Sequence, residues 1–243
     1  MQRIRILPIL AAAALAAAAA GDEKTVTLAR TVKSGDVVEY KIVTNAEVLG
    51  GEAVVTQKSK VTVKEVKPNG DVVWVTETSE GKITFGGMEQ EMPAQPPVTE
   101  IRSKTGRLVE YNRPEVQGGL TTAELEKAMS AMSETLLPEK PVAPGETWTV
   151  ELDNPAVKDK KITVKTTFVG TEKVGEADAW KVQQKAEADA DDKGAKLLIE
   201  TTAFLDPATG LPVKSETKVS NLPTNMFGPI SFVTKMERIK KTG

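Results

Sequence analysis

Four short segments of this chain recur in the same order roughly a hundred residues later. The pairs share a Gly-acidic turn before a strand, a Lys-flanked alternating run, a tryptophan, and a Thr-Gly turn. One such match could arise by chance, whereas four in register indicate an internal duplication. The period is too long for a solenoid unit, so the sequence predicts two copies of a small β module. The matched segments are residues 34–40 with 144–150, 60–64 with 161–165, Trp74 with Trp180, and 104–106 with 208–210.

Both copies show the alternation of strands. Ile162 and Val164 alternate with Thr163 and Lys165, which is typical of a sheet with one covered face and one wet face. Short turns rich in Gly and Asn favour antiparallel pairing. The predicted fold class is therefore mainly β (α+β), with duplicated, curved antiparallel modules. The predicted strands are residues 36–44, 53–66, 71–78, 82–85, 98–102, 108–111, 147–152, 161–169, 179–185, 195–205 and 211–219.

One segment, residues 120–137, has the period of a helix instead. Thr121 or Thr122 can cap its start, with Glu124 completing a capping box after Thr121, and Pro138 ends it. Because the helix lies between the two copies, it is expected to be both linker and lid over the concave face. Its apolar stripe consists of Leu125, Met129, Met132 and Leu136.

The first twenty residues have the layout of a secretory signal peptide, with Arg3 and Arg5 before a short apolar run and a cleavage site near Ala20. No later segment approaches the length of a membrane span, so the protein is expected to be exported, periplasmic or extracellular, and not an integral membrane protein. The predicted organisation is signal peptide 1–20, first β module 21–118, amphipathic helix linker 119–140 and second β module 141–243.

Composition excludes several functions. The chain has no cysteine and no histidine, so Ser-His or Cys-His catalysis and ordinary zinc sites cannot occur. With 32 basic against 34 acidic residues and 4 % aromatics, no basic, aromatic face for nucleic acid is expected. No cofactor is predicted. Paired carboxylates leave a hydrolase open as a minor alternative to a protein without enzymatic activity.

An acidic turn resembles a calcium loop in its spacing. Asp189, Asp191 and Glu200 fall at the first, third and twelfth positions of an EF-hand pattern, with Asp192 between them. Lys193 stands where an oxygen ligand belongs, and strands rather than helices flank the loop. An acidic hairpin turn is therefore the favoured interpretation, and these four acids remain a weak calcium candidate.

The late hairpin at residues 205–214, L-D-P-A-T-G-L-P-V-K, resembles the bacterial lipoprotein-carrier superfamily and its exported relatives. The resemblance extends to the signal peptide and to a long antiparallel sheet with a helix across it. It implies an incompletely closed, strongly curved sheet around an apolar cavity, with a helical lid. No catalytic or binding motif of the family carries over, and the duplication departs from the simple carrier.

Three hypotheses for function follow. The first is an exported, soluble envelope protein that binds a lipid or other apolar ligand between sheet and helix. The second is a structural or interaction module that binds an envelope protein and no small ligand, and the third is the carboxylate hydrolase. Methionine suits a surface for varied apolar ligands and is equally a core filler. The predicted cavity residues are Val61, Val63, Trp74, Met129, Met132, Ile162, Val164 and Trp180.

Overall fold

The computed structural model describes residues 25–114, 120–226 and 228–240, and contains twelve strands and one α-helix there. The predicted signal peptide lies outside the described residues. The elements are β1 (Val37–Val48), β2 (Gly51–Val66), β3 (Val72–Phe85), β4 (Met88–Glu91), β5 (Val98–Arg102), β6 (Leu108–Asn112), α1 (Ala123–Ser133), β7 (Thr147–Asp153), β8 (Lys161–Val174), β9 (Ala177–Asp189), β10 (Lys196–Leu205), β11 (Pro212–Leu222) and β12 (Ile230–Arg238).

All twelve strands form one antiparallel sheet in the order β6-β5-β3-β2-β1-β12-β11-β10-β9-β8-β7, with β4 paired to β3. Each half is a simple meander, β1-β2-β3-β5-β6 and β7-β8-β9-β10-β11, so successive strands pair in the same order in both. β12 joins the halves by pairing with β11 on one side and β1 on the other. Hairpin connections make this the expected topology, because short turns leave the next strand beside the last one. The mainly β, antiparallel prediction is confirmed.

The turns that precede β1 and β7 make the same four hydrogen bonds. In each, the glycine amide donates to a carbonyl on the second strand of that half, β2 or β8. The acidic side chain accepts from the amide three residues earlier. The first half has Gly35 N to Val63 O, Val63 N to Asp36 O, Asp36 N to Lys33 O and Lys33 N to Asp36 Oδ2. The second has Gly145 N to Phe168 O, Phe168 N to Glu146 O, Glu146 N to Ala143 O and Ala143 N to Glu146 Oε2.

These bonds shift two of the sequence matches. Val63 is structurally equivalent to Phe168, four residues beyond the Val164 that the sequence pattern pairs with it. Trp74 pairs with Val63, and Val182 pairs with Phe168, so Trp74 is equivalent to Val182 rather than to Trp180. Both shifts are even, because the period of a strand is two and an even slip keeps the same face inward.

The chain crosses the concave face twice. The connection from β6 at one edge to β7 at the other carries α1 over β9 and β10. The segment 25–36 crosses as well, with Val26 bridged to Val142 and Leu28 buried. The two crossing segments hold each other through Arg30, which donates to the Thr135 carbonyl over 3.0 Å and pairs with Glu134.

Helix α1 is shorter than predicted at both ends. Its N-cap is Thr122, whose hydroxyl accepts from Leu125 N over 3.2 Å, so Glu124 is one residue too early for the predicted capping box. The helix ends at Ser133, before Pro138 is reached, because Glu134 is extended. The last carbonyls find a side-chain partner in the sheet, described below, and no further helical turn is required to satisfy them.

Candidate functional site

The predicted cavity residues fall into three separate apolar clusters. The first cluster joins α1 to the sheet. It contains Leu125, Met129 and Met132 of α1 and Ile162, Val164, Leu197 and Ile199 of the strands beneath it. Trp180 belongs to a second cluster around Phe168, Val182 and Leu205, beneath the segment that follows α1. Val61, Val63 and Trp74 belong to a third with Leu211.

The interface between α1 and the second half of the sheet is packed. Met132, Ile162 and Val164 each have 0 % of their surface accessible. A side chain without accessible surface borders no space that a water molecule could enter, so these three predicted cavity residues are core instead. Met129 remains half-buried at the margin of the cluster. A ligand cannot lie beneath the helix here without displacing core side chains.

A row of polar side chains crosses the concave face and separates the first two clusters. It is directly paired in register from strand to strand, so that each member lies beside the next across the sheet. Its neighbours on one side are Val164, Ala186 and Ile199, and those on the other include Phe168, Val182 and Ala203. In order from β7 to β1 the row is Trp148, Thr166, Gln184, Thr201, Thr217, Thr234 and Thr44.

At its buried end, this row is hydrogen-bonded to the end of α1 through Gln184. Its amide nitrogen donates to the carbonyls of Met132 at 3.0 Å and Glu134 at 2.8 Å, and its oxygen accepts from Leu136 N at 2.9 Å. Trp148 Nε1 donates to the Leu136 carbonyl over 3.1 Å. The row thus satisfies the backbone groups that the end of a helix leaves unpaired, which explains where α1 stops.

On β5, beside α1, the concave side of the first half carries charged side chains at positions where the second half has apolar ones. The Arg102 guanidinium donates to Glu100 over 2.8 Å and to the hydroxyl of Ser130 on α1 over 2.6 Å. By the pairing with β3 and β9, Glu100 and Arg102 are equivalent to Ala203 and Leu205. The arginines on this side are each paired with an acid: Arg30 with Glu134, Arg102 with Glu100, Arg113 with Glu126 and Arg238 with Asp206.

Arg238 fixes the hairpin that resembles the carrier superfamily. It donates to Asp206 over 3.0 Å and to the Leu211 carbonyl over 2.9 Å. Burial raises the pKa of the adjacent Tyr40 to about 12, although the charge of Arg238 acts to lower it. Burial raises the pKa of Asp206, but hydrogen bonds from the Ala208 amide, Arg238 and Thr209 outweigh it and hold that pKa below its ordinary value.

Segment 25–36 crosses directly over this hairpin. At Gly210, with φ +67°, a Cβ would lie 2.1 Å from the Ala29 carbonyl oxygen, so the crossing requires glycine. Thr31 N donates to the Thr209 carbonyl over 3.0 Å. The hairpin therefore anchors the N-terminal segment and has a structural role.

The same concave face is open over the first half. Tyr40 and Ser59 form the last buried pair on β1 and β2, each with 5 % of its surface accessible. Beyond them most inward side chains of β1, β2, β3 and β12 are half-buried and apolar, although Ala53 is buried, and we call this surface the open trough. Its residues are Ile42, Thr44, Val55, Gln57, Ile83, Phe232, Thr234 and Met236.

The acidic hairpin between β9 and β10 uses its carboxylates within the protein. Asp189 pairs with Lys196 at 2.5 Å and Lys160 at 3.8 Å, and Asp191 Oδ1 accepts from the amides of Lys193 and Ala195. Asp192 and Glu200 are exposed. Across the part of the chain that the structure describes, no three acids are arranged to hold a metal ion.

Sequence reasoning missed the trough because it missed β12. Without this strand, Phe232, Thr234 and Met236 had no place in the sheet, and Ile42 and Thr44 had no neighbour on that side. The signal was present: in residues 230–238 bulky apolar and polar side chains alternate. No repeat partner supported that segment in the other copy.

No protein-family model matches the chain, and no curated protein matches it. A solved structure with similar fold is that of lipovitellin, titled for its lipid-protein interactions, with 9 % identity and a TM-score of 0.50 over 86 % of this chain. The present chain spans 26 % of the length of that protein.

Two bacterial structures also match. One is the hypothetical lipoprotein YmcC from Escherichia coli K12, with 12 % identity and a TM-score of 0.36 over 87 % of this chain and 90 % of that one. The other, from Vibrio parahaemolyticus, is described as an outer membrane lipoprotein-sorting protein domain, with 9 % identity and a TM-score of 0.24 over 85 % and 86 % of the two chains. At these identities the likeness concerns the fold alone.

Within the described residues, the one helix is neither long nor apolar enough to cross a membrane.

Proposed function

We propose that this is an exported envelope protein that binds a lipid-like apolar ligand in the open trough, beside α1 rather than beneath it. The observation that carries the proposal is the contrast along one concave face. Over β8 the inward side chains Ile162 and Val164 have no accessible surface, whereas Ile42, Val55 and Met236 on the same face are only partly buried. A partly exposed apolar floor between a sealed core and solvent is a typical place for an apolar ligand.

The energetics favour an aliphatic ligand. Each methylene that moves from water to such a floor contributes roughly 0.8 kcal/mol, so a few contacts offset the loss of freedom on binding. The likeness in fold to lipovitellin, whose structure is titled for lipid-protein interactions, supports the proposal. The resemblance of the 205–214 hairpin to lipoprotein carriers points the same way.

The test uses two aspartates on one strand. Ile42 faces the trough and its neighbour Val43 faces the outer surface, and both are half-exposed. We expect Ile42→Asp to abolish binding of the neutral dye N-phenylnaphthylamine, because a charge in the floor must be desolvated by the ligand. Val43→Asp is the matched control and retains binding, and both variants keep a melting temperature close to that of the native protein.

Extraction of the purified native protein and lipid mass spectrometry provide a second measurement. We expect co-purifying aliphatic lipid in the native protein and in Val43→Asp, and less in Ile42→Asp. No dye binding and no co-purifying lipid would sink the carrier proposal.

A second candidate function is docking to an envelope protein, and one observation favours it. Leu49, Phe85 and Met88 are 79 %, 40 % and 74 % exposed on the neighbouring β1–β2 and β3–β4 hairpins. Large apolar side chains gathered at one tip mark an interaction surface. Cross-linking of the protein in its native envelope, with and without Leu49→Ser and Met88→Ser, tests this: loss of a discrete cross-linked partner in the variant is the expected result.

A further inference from the structure

We infer that the ligand of the open trough is neutral and carries one hydrogen-bonding group, such as a hydroxyl or an ester carbonyl, which binds the Thr44–Thr234 pair. This inference rests on the proposed function and specifies its ligand class. It begins from the polar row, which runs from beneath the helix into the trough. Apart from Trp148, its members are side chains with a hydroxyl or amide group that face the concave side: Thr166, Gln184, Thr201, Thr217, Thr234 and Thr44.

The two ends of the row differ in how their hydrogen bonds are used. At the buried end, Thr166 donates to Gln184 over 3.1 Å, and the Gln184 amide is engaged by the backbone around the end of α1. At the open end, the Thr44 and Thr234 hydroxyls bond to each other over 2.9 Å. That single bond uses one donor and one acceptor of the pair. One hydroxyl donor and further acceptor sites are left facing the half-exposed trough.

The surroundings of this pair are otherwise apolar. Val55 is paired to Thr44 on one side, and Ile42, Phe232 and Met236 flank the row along β1 and β12. A ligand that lies on this floor buries the Thr44–Thr234 pair. Unless the ligand supplies a hydrogen-bonding group at that point, the spare donor is left unsatisfied, which is costly.

Charge decides between a neutral and an ionised ligand. Among the described residues, the inward positions of β1, β2, β3 and β12 hold a single charge, Arg238, and it is engaged by Asp206 and two backbone carbonyls. Carboxylate or phosphate groups entering the trough therefore meet no free cation, and their desolvation is not compensated. An alcohol, ester or amide has the matching chemistry.

The experiment compares three probes with one chain length: octane, octanol and octanoate, each as a competitor of bound N-phenylnaphthylamine. The variant Thr44→Val/Thr234→Val removes both hydroxyls and keeps the shape of the side chains. Its matched control is Thr147→Val/Thr167→Val, because that cross-strand pair makes the same hydroxyl bond, over 2.8 Å, on the outer face.

We expect the variant to lower the affinity for octanol relative to octane by about three- to tenfold, the effect of one hydrogen bond. The control leaves that ratio unchanged, and octanoate binds the native protein more weakly than octanol. An unchanged ratio in Thr44→Val/Thr234→Val, or octanoate bound more tightly than octanol, overturns the inference while dye binding still supports the proposed function. Absence of dye binding in the native protein removes both.

Discussion

The two halves of this molecule have the same strand order, but the side chains on their parts of the concave face differ in polarity and in burial. In the second half the face is apolar and sealed, with Ile162, Val164 and Phe168 at 0–1 % accessible surface. In the first half Tyr40 and Ser59 stand where the second half has Val150 and Val164, whereas the equivalent of Phe168 is Val63, which is apolar and buried. The same meander and turns can therefore occur in both halves while the inward side chains differ in polarity and in how deeply they are buried.

The position of α1 follows from this difference. Its apolar side chains, among them Leu125 and Met132, are stabilised by the methyl-rich floor of β8 to β10. Toward the first half it presents Ser130 to the ion pair of Glu100 and Arg102. The helix thus contacts β6 of the first half as well as β9 and β10 of the second, and its buried apolar side chains pack mainly against the second half.

The largest expected effect compares two isoleucines on one concave face. Ile162→Ala removes a side chain with no accessible surface and leaves a cavity in the sealed half, and we expect a loss of about 3 kcal/mol in the free energy of unfolding. Ile42→Ala in the trough should cost less, about 1–2 kcal/mol, because part of its surface is already in water. Denaturant unfolding of both variants measures this, and equal losses would mean that the first half is also sealed.

The next comparison concerns the two Thr-Gly turns, both of which touch the N-terminal segment. In Gly210→Ala the new methyl meets the Ala29 carbonyl oxygen at 2.1 Å, whereas in Gly106→Ala the nearest contacts are wider, at 2.9 Å from the Thr135 carbonyl oxygen and from Arg30 Nη1. We expect losses of about 2–3 and about 1–2 kcal/mol respectively in thermal melts. Gly145→Ala, with φ +85° and no neighbour within 4 Å, is the control for backbone strain alone. A larger loss for Gly106→Ala than for Gly210→Ala would contradict the crossing described here.

Alternation predicted most of the sheet but not the division between its halves. It placed β5 within its observed bounds and gave the inward faces of β2 and β8 correctly, because a strand's period survives errors of two or four residues in matching. It could not predict β12, which has no partner segment in the repeat. Nor could it distinguish Ile162, which is core, from Ile42, which is surface, since that depends on where α1 crosses.

The polar row was within reach of the sequence in part. Thr166 interrupts the apolar series Ile162, Val164 and Phe168 at an inward position, which signals a buried hydroxyl. Its partners on six other strands could not be inferred, because register across a sheet depends on turn lengths and bulges, such as the one between Phe168 and Gly170. The duplication and its module boundaries, which include residues outside the described ranges, stay a prediction.

A third prediction uses pH to test how deeply Tyr40 is buried, at the position of the first half that is equivalent to Val150 in the second. Burial raises the pKa of Tyr40 in the folded protein to about 12, above its ordinary value near 10, so the folded state holds this proton more tightly than the unfolded state. The stabilisation is complete below about pH 10 and is lost as pH rises through about 12. As the pH rises from about 10 to about 12, the free energy of unfolding should therefore fall less in Tyr40→Phe than in the native protein, with a difference of up to about 2 kcal/mol.

The measurement is urea unfolding at several alkaline pH values, with phenolate absorption recorded in parallel. Tyr111→Phe is the comparison, since burial also raises the pKa of Tyr111 but this side chain is only half-buried. If Tyr40 titrated near pH 10 in the folded protein, this position would be open to solvent and the boundary of the trough would move toward the turn before β1.

The smallest expected effect concerns the hairpins that join the equivalent strands of the two halves. Between β3 and β5 the chain inserts β4, whereas between β9 and β10 it makes a short acidic turn. Asp191 fixes that turn by accepting from two amides at 2.9 Å, so Asp191→Ala should cost about 1 kcal/mol and the exposed Asp192→Ala within about 0.5 kcal/mol. Calcium should shift neither melting temperature, because the Asp189 carboxylate is already paired with Lys196. A calcium-dependent rise in the native protein that Asp191→Ala abolishes would make this turn a binding loop, and the second half would then have a site of its own.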